Sequence, residues 1–175
     1  MRISHDSLYS KRRMGNAMTP AAESSSKPDI LVVDDTPANL RLLSEMLKSH
    51  GYRPRVVPSG KLALKAARAI PPDLILLDIR MPEMDGYEVC ERLKAEASMR
   101  ETPIIFLSAL SETVNKVRAF AVGGVDYITK PFQVEEVLAL ESSTLREKRD
   151  RAMLAVAKRG YAKAVLEAGD IAAMG

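Results

Sequence analysis

Acidic, hydroxyl and basic side chains follow short apolar runs in this 175-residue chain, and their types would suit metal-assisted chemistry on an anion. Asp34 and Asp35 come directly after Ile-Leu-Val-Val, and Asp78 follows Leu-Ile-Leu-Leu. Carboxylates held close together repel one another unless a cation is present, and hard oxygen ligands suit Mg²⁺. Ser108 and Lys130 follow later apolar runs and would add a hydroxyl donor and a positive charge. The combination favours a phosphoryl group bound beside the metal.

Taken one at a time, the same residues have a simpler structural interpretation. An acid at a strand end is commonly a helix cap or a turn residue, and Asp34 with Asp35 ahead of Pro37 would suit capping alone. Lys130 before Pro131 would suit an ordinary loop. Coincidence at every one of these strand ends is harder to accept than a shared pocket, so we prefer the metal and phosphoryl hypothesis.

Five short apolar runs alternate with helical patterns, and this alternation predicts right-handed βαβ units with a parallel sheet. The predicted strands cover residues 30–33, 53–57, 74–77, 103–107 and 127–129. The expected fold class is α/β, a doubly wound, flavodoxin-like, five-stranded parallel sheet of order 2-1-3-4-5 with a C-terminal helical extension. In that order the first and third strands are neighbours. Asp34, Asp35 and Asp78 would therefore share one pocket at their carboxyl ends.

Apolar residues at helical spacing predict the inner faces of the helices. Thr36 is expected to cap the first helix, and Gly51 to end it. The residues expected on the apolar faces of the first four helices are Leu40, Leu43 and Leu47, then Leu62, Ala66 and Ile70, then Val89 and Leu93, then Val114, Val117 and Ala121.

Three segments are expected along the chain. Residues 1–28 lack periodicity and are predicted to form a disordered leader, and residues 29–140 form the single domain. Residues 141–175 are expected to be a helical tail or linker without a recognisable output domain, in which residues 141–144 interrupt the helix. The heptad spacing of Leu138, Leu145 and Ala152 hints at a coiled coil.

Composition excludes several classes of protein. No apolar run approaches the ~18 residues that span a bilayer, and the N-terminus lacks the apolar segment of a secretory signal. One cysteine, Cys90, excludes an internal disulfide and is expected only to pack. The net charge of +3 is not gathered into a basic stripe with interleaved aromatics. We therefore expect a cytoplasmic protein with no membrane or nucleic-acid partner.

The stretch 30–132 resembles the receiver domain of two-component response regulators. A lone Asp-Asp or Lys-Pro pair would mean little, but the full set of motifs is highly specific. These motifs are Asp34-Asp35 after an apolar strand, Asp78 followed by Met81-Pro82-Glu83-Met84-Asp85-Gly86, Ser108-Ala109, and Lys130-Pro131-Phe132.

The resemblance implies that Asp78 is the phosphoacceptor, whose carboxylate attacks the phosphohistidine of a sensor histidine kinase or phosphotransfer protein. Asp35, Asp78 and the backbone carbonyl of Arg80 would bind Mg²⁺, with Asp34 helping directly or through water. Pro82 and Gly86 would shape the neighbouring loop.

The resemblance also implies how the site responds to the phosphoryl group. Ser108 and Lys130 would each contact one of its oxygens. Tyr127 matches the aromatic switch position, which turns inward when Ser108 is drawn to the phosphoryl group. The Lys130–Pro131 peptide bond is expected to be cis.

Three classes of function remain open. The chain could be a stand-alone phosphorylatable switch that binds an unknown target, with homodimerisation as one option. It could be the regulatory receiver fragment of a longer effector whose output domain is missing. In both cases it would be a signalling domain rather than an enzyme, catalysing only its own phosphotransfer and dephosphorylation. A receiver that binds partners without phosphorylation is the third class, and the complete set of acids, Ser108 and Lys130 argues against it.

Overall fold

The computed structural model describes residues 27–109, 116–148, 150 and 151. Most of the predicted leader, residue 114 of the fourth helix and the tail from residue 152 onward lie outside these described residues. The strands are β1 (Asp29–Val33), β2 (Arg53–Val57), β3 (Leu74–Asp78), β4 (Ile104–Ala109) and β5 (Asp126–Lys130). The helices are α1 (Pro37–Ser49), α2 (Gly60–Ala69), α3 (Gly86–Ala95), α4 (Lys116–Ala121) and α5, which covers residues 134–148.

The five strands form one parallel sheet of order β2-β1-β3-β4-β5, which confirms the predicted fold class. In register, Val33 of β1 lies beside Leu77 of β3, and Asp78 lies beside Leu107 of β4. The carboxyl ends of β1, β3 and β4 therefore meet at one edge of the sheet. Among the described residues, no helix combines the length and apolar character needed to cross a bilayer.

Alternate residues of the central strands pack against helices on opposite faces of the sheet, as period-two side chains require. On one face, Leu31 and Ile75 belong to a core cluster with residues of α2, α3 and α4. On the other face, Ile30 and Leu74 belong to a cluster with residues of α1 and α5. This second cluster contains the predicted apolar residues of the first helix, Leu40, Leu43 and Leu47.

Two helices present different faces to the core from those predicted. Leu62 of α2 and Ile70, which follows it, are exposed, whereas Ala66 is partly buried against the first core cluster as predicted. The fully buried residues of α2 are Gly60, Ala63, Leu64 and Ala67. In α4, Val117 and Ala121 are exposed, and Ala119 is buried. Both buried faces depend on small residues, which let a helix lie close to the sheet. A pattern of large apolar side chains does not register such small residues.

The predicted interruption at residues 141–144 is wrong, because α5 continues through it. The hydroxyls of Ser142 and Ser143 donate to the carbonyls of Leu138 and Leu140, so these serines bond within the helix instead of ending it. Leu145 is buried in the second core cluster and is therefore not available to a coiled-coil seam.

Because Leu145 anchors α5 to the core, Leu145→Ala should lower the free energy of unfolding by about 2–5 kcal/mol. The exposed neighbour Arg146 gives a matched control, and Arg146→Ala should stay within about 0.5 kcal/mol of the unmodified chain. Urea denaturation followed by circular dichroism measures both variants. Equal effects would mean that the helix beyond residue 140 is not part of the domain core.

Candidate functional site

Three carboxylates meet at the carboxyl edge of the sheet, as predicted. Asp78 is the last residue of β3, and Asp34 directly follows β1 on the neighbouring strand. One carboxylate oxygen each from Asp34, Asp35 and Asp78 can be chosen so that all three lie within 4.8 Å of one another. Asp34 and Asp78 are buried, whereas Asp35 is exposed, so the cluster opens to solvent on the Asp35 side.

Lys130, at the end of β5, lies between the two buried acids. Its Nζ is 2.8 Å from Asp34 Oδ2 and 3.0 Å from Asp78 Oδ2. Burial acts to lower the pKa of Lys130, but its hydrogen bonds to Asp34 and Asp78 together with their negative charges raise it overall. The lysine is therefore a fixed cation. Three carboxylates with one ammonium leave a formal charge of about −2, which a divalent cation would cancel.

Asp34 is held in place by the start of α1. Its Oδ1 accepts a hydrogen bond of 2.8 Å from the backbone N–H of Thr36, and its Oδ2 accepts one of 3.0 Å from Asn39 Nδ2. Thr36 occupies the N-cap position as predicted, but its side chain makes no capping hydrogen bond. Sequence analysis missed Asn39. The only sequence feature that could have indicated Asn39 is its position in the first turn of the helix after the acidic pair. Many exposed helix residues have such a position, so this feature is weak.

Asp78 has an environment that disfavours its charge. Burial raises its pKa to about 6; the hydrogen bond from Lys130 opposes this, and the negative charge of Asp34 adds to it. The backbone N–H of Arg80 donates to Asp78 Oδ1 at 3.4 Å. A positive ion beside this carboxylate would lower the pKa again and favour the ionised, nucleophilic form. The prediction that the carbonyl of Arg80 is a metal ligand remains a prediction.

Ser108 supplies a hydroxyl one residue beyond the position paired with Asp78. Leu107 of β4 lies beside Asp78, and Ser108 follows it. The Ser108 side chain is fully buried, and its Oγ has no hydrogen-bond partner among the described residues. Buried polar groups are normally paired, so an unpaired one indicates a missing ligand or water. Tyr127 is half-buried against the first core cluster, and its predicted inward turn remains a prediction.

The loop after β3 is shaped by a close approach that glycine alone permits. A Cβ on Gly86 would lie 2.3 Å from the backbone oxygen of Asp78, and the Gly86 N–H donates to Ile79 O at 2.8 Å. The Met84 N–H donates to Pro82 O at 2.7 Å, which tightens the same loop. The close approach confirms that Gly86 shapes the loop, and a specific role for Pro82 remains a prediction.

Two further predictions outside the acid cluster are confirmed. The Lys130–Pro131 peptide bond is cis. Cys90 is buried and its Sγ donates to Val122 O at 3.2 Å, while burial raises its thiol pKa to about 11. A thiol with so high a pKa is unreactive near neutral pH, which agrees with a packing role.

The described acids fit a metal of the hard, oxygen-liganded class. They provide carboxylate oxygens within reach of one ion, an uncancelled negative charge and an opening to water at Asp35. A phosphate-like group could lie beside that ion, because the unpaired hydroxyl of Ser108 and the ammonium of Lys130 lie at the carboxyl ends of β4 and β5. The contacts bring Asp34, Asp35, Asp78 and Lys130 together, and the strand register places Ser108 one residue beyond the position paired with Asp78.

Comparison with known proteins agrees with this geometry. The response regulator receiver domain family matches residues 30–140. The DNA-binding dual master transcriptional regulator RpaA of Synechocystis sp. is 40% identical over 119 residues, covering 68% of this chain and 49% of RpaA. The DNA-binding response regulator MtrA of Mycolicibacterium smegmatis is 39% identical over 121 residues, covering 69% of this chain and 52% of MtrA.

One of the solved structures that resemble this chain contains a bound metal ion. The receiver domain of a sensor histidine kinase from Pseudomonas aeruginosa PAO1, with magnesium coordinated in its active site cleft, is 33% identical. It superimposes with a TM-score of 0.63 over 68% of this chain and 98% of that one.

The present chain spans about half the length of the two curated relatives, 49% of RpaA and 52% of MtrA. Their names assign DNA binding to those proteins, and the expectation that this chain has no nucleic-acid partner stays a prediction. The matched family, the sheet order and the acid cluster with its lysine and serine agree with one another. The chain belongs to the receiver domain family of two-component response regulators.

Proposed function

We propose that Asp78 accepts a phosphoryl group from the phosphohistidine of a sensor histidine kinase or phosphotransfer protein, and that the resulting aspartyl phosphate switches partner binding. The observation that carries this proposal is the contact of Lys130 with both buried acids, 2.8 Å from Asp34 and 3.0 Å from Asp78. A cation placed there can exchange one carboxylate contact for a phosphoryl oxygen. The unpaired Ser108 hydroxyl supplies a second donor nearby.

Mg²⁺ is the proposed cofactor. Asp34, Asp35 and Asp78 would hold it, with the backbone carbonyl of Arg80 as a further ligand. When bound, it would neutralise the crowded charges and orient the incoming phosphoryl group. The magnesium in the cleft of the Pseudomonas aeruginosa receiver supports the same choice here.

Beyond the nucleophile Asp78, the transfer needs no covalent participation of the protein, because phosphoryl transfer depends mainly on positioning and charge stabilisation. An Asp78 carboxylate oxygen attacks phosphorus, the new O–P bond forms, and the N–P bond to the donor histidine breaks. The electron pair of that bond returns to the imidazole nitrogen. Lys130 and Ser108 then each hold a phosphoryl oxygen.

The proposed switch is mechanical. Movement of Ser108 toward the phosphoryl group would free space into which Tyr127 turns, and the surface around α4, β5 and α5 would repack. That surface already exposes apolar side chains in this structure, which supports a partner-binding role. They are Val117, Phe120, Val125 and Val134.

The first experiment tests the acceptor. Asp78→Asn removes the nucleophilic carboxylate and keeps its shape, so incubation with acetyl phosphate and Mg²⁺ should give no phosphoryl adduct by intact mass spectrometry. The control Asp150→Asn changes an exposed aspartate on the C-terminal helical segment and should label like the unmodified chain. Circular dichroism checks that both variants are folded. Undiminished labelling of Asp78→Asn would remove Asp78 from this role.

The second experiment tests the metal site. Asp35→Ala removes one ligand and one formal charge, so Mg²⁺ affinity measured by calorimetric titration should fall about tenfold or more. Glu83→Gln is the matched control, because Glu83 is an exposed acid that lines the same cleft as Asp35 and pairs with Lys61 at 2.6 Å. It should change affinity by less than about threefold, as expected for a screened surface charge. Equal losses in the two variants would contradict direct ligation by Asp35.

A further inference from the structure

A carboxylic acid lies within the apolar face of α5, where the family match ends. Val137, Glu141 and Leu145 follow one another at intervals of one helical turn, and all three are buried. Glu141 is fully inaccessible to solvent, and neither of its carboxylate oxygens has a hydrogen-bond partner among the described residues. The family match covers residues 30–140, so this acid lies just beyond it. The phosphoryl site does not use Glu141.

The groups around Glu141 offer little compensation for a negative charge. Burial raises its pKa to about 7, while the hydroxyl of Tyr52 and then the charge of His50 act to lower it. On the sheet side, α5 packs on the apolar second core cluster, including Leu74 and Leu76. The helix's other acids near this point, Glu135 and Glu136, are exposed to solvent.

The remaining contacts of this part of α5 are favourable whether or not Glu141 is charged. Leu145 is buried in the core, and Lys148 Nζ donates to the carbonyl of Asp73 at 3.1 Å and lies 3.6 Å from its Oδ1. Among the contacts described for this part of α5, burial of Glu141 is the one whose cost depends on protonation of the carboxylate. An ionised carboxylate buried in apolar surroundings with so little compensation is costly, and its protonated form is much less so.

We infer that Glu141 binds a proton when α5 packs on the receiver domain, and that docking of the helix beyond residue 140 is coupled to this proton. The coupling is independent of phosphorylation at Asp78. It links the orientation of whatever follows α5 to pH.

The sign of the coupling follows from the direction of the pKa change. The docked helix binds the proton more tightly than the undocked helix, in which Glu141 titrates near its ordinary value of 4.5. Docking is therefore strongest at low pH, weakens as pH rises above this value, and levels off above about 7. Between pH 5 and pH 8 the docking equilibrium should change on the order of a hundredfold, since each pKa unit corresponds to a factor of ten.

The test uses the full chain and two independent measurements. Carbon-detected NMR titration of the side-chain carboxyl should give a pKa for Glu141 well above that of the exposed Glu136. Hydrogen exchange of the α5 amides, corrected for intrinsic rates, should show protection that falls between pH 5 and pH 8. Glu141→Gln should remove this pH dependence and raise protection at pH 8 tenfold or more. Glu136→Gln should leave it unchanged.

Three results would overturn the inference. The first is a Glu141 pKa within about half a unit of that of Glu136. The second is an unchanged pH dependence in Glu141→Gln. The third is an equal loss of protection in β3, which would mean that the whole domain opens rather than that α5 undocks.

Discussion

The site depends on negative charge gathered where the strands end. Asp34 and Asp78 are buried side by side with the exposed Asp35, and Lys130 is the cation placed between the two buried acids. Burial is the main cause of the raised pKa of Asp78, and the negative charge of Asp34 adds to it. The same excess of negative charge would attract a divalent cation, and that cation together with Lys130 would then attract the anionic phosphoryl group. The proposed phosphoryl transfer would therefore depend on charge stabilisation by acids and a lysine that are already in position.

The parallel sheet makes that concentration possible. Since β1 and β3 are neighbours, their carboxyl ends deliver acids from distant parts of the chain to one point, while β4 and β5 deliver Ser108 and Lys130 beside them. Local contacts of the backbone and of one side-chain amide then orient these residues. Gly86 lets the start of α3 approach the backbone of Asp78, and Asn39 with the N–H of Thr36 orients Asp34. The strand ends and the first turns of α1 and α3 therefore position the described side chains of the site.

Much of this arrangement can be predicted from the chain alone, because apolar strands buried on both faces are conspicuous. The acids at the carboxyl ends of these strands can be read from the sequence. The strand order of a doubly wound parallel sheet then predicts that those acids lie close together. The buried faces of α2 and α4 could not be predicted as easily. Small residues such as Ala63 and Ala119 pack there, and their burial depends on how near the sheet lies.

Two other features depend on tertiary contacts that periodicity does not register. The modest helix propensity of Ser142 and Ser143 predicts an interruption. Their hydroxyls instead donate to carbonyls of the preceding turn, and α5 continues. Glu141 occupies a position in the apolar stripe of that helix. A pattern based on residue polarity assigns such an acid to the solvent, whereas the structure buries it. Packing of α5 against the sheet therefore determines both the continuation of this helix and the burial of Glu141.

The most direct measurement of the central claim is the chemical location of the phosphoryl group. Treatment of the full chain with acetyl phosphate and Mg²⁺, followed by borohydride reduction, converts an acyl phosphate to an alcohol that peptide mass spectrometry can locate. The charge arrangement described here predicts a reduced side chain at Asp78 and at neither of the acids beside it. Reduction at Asp34 or Asp35, or an unreduced Asp78 in a folded, magnesium-loaded protein, would contradict it.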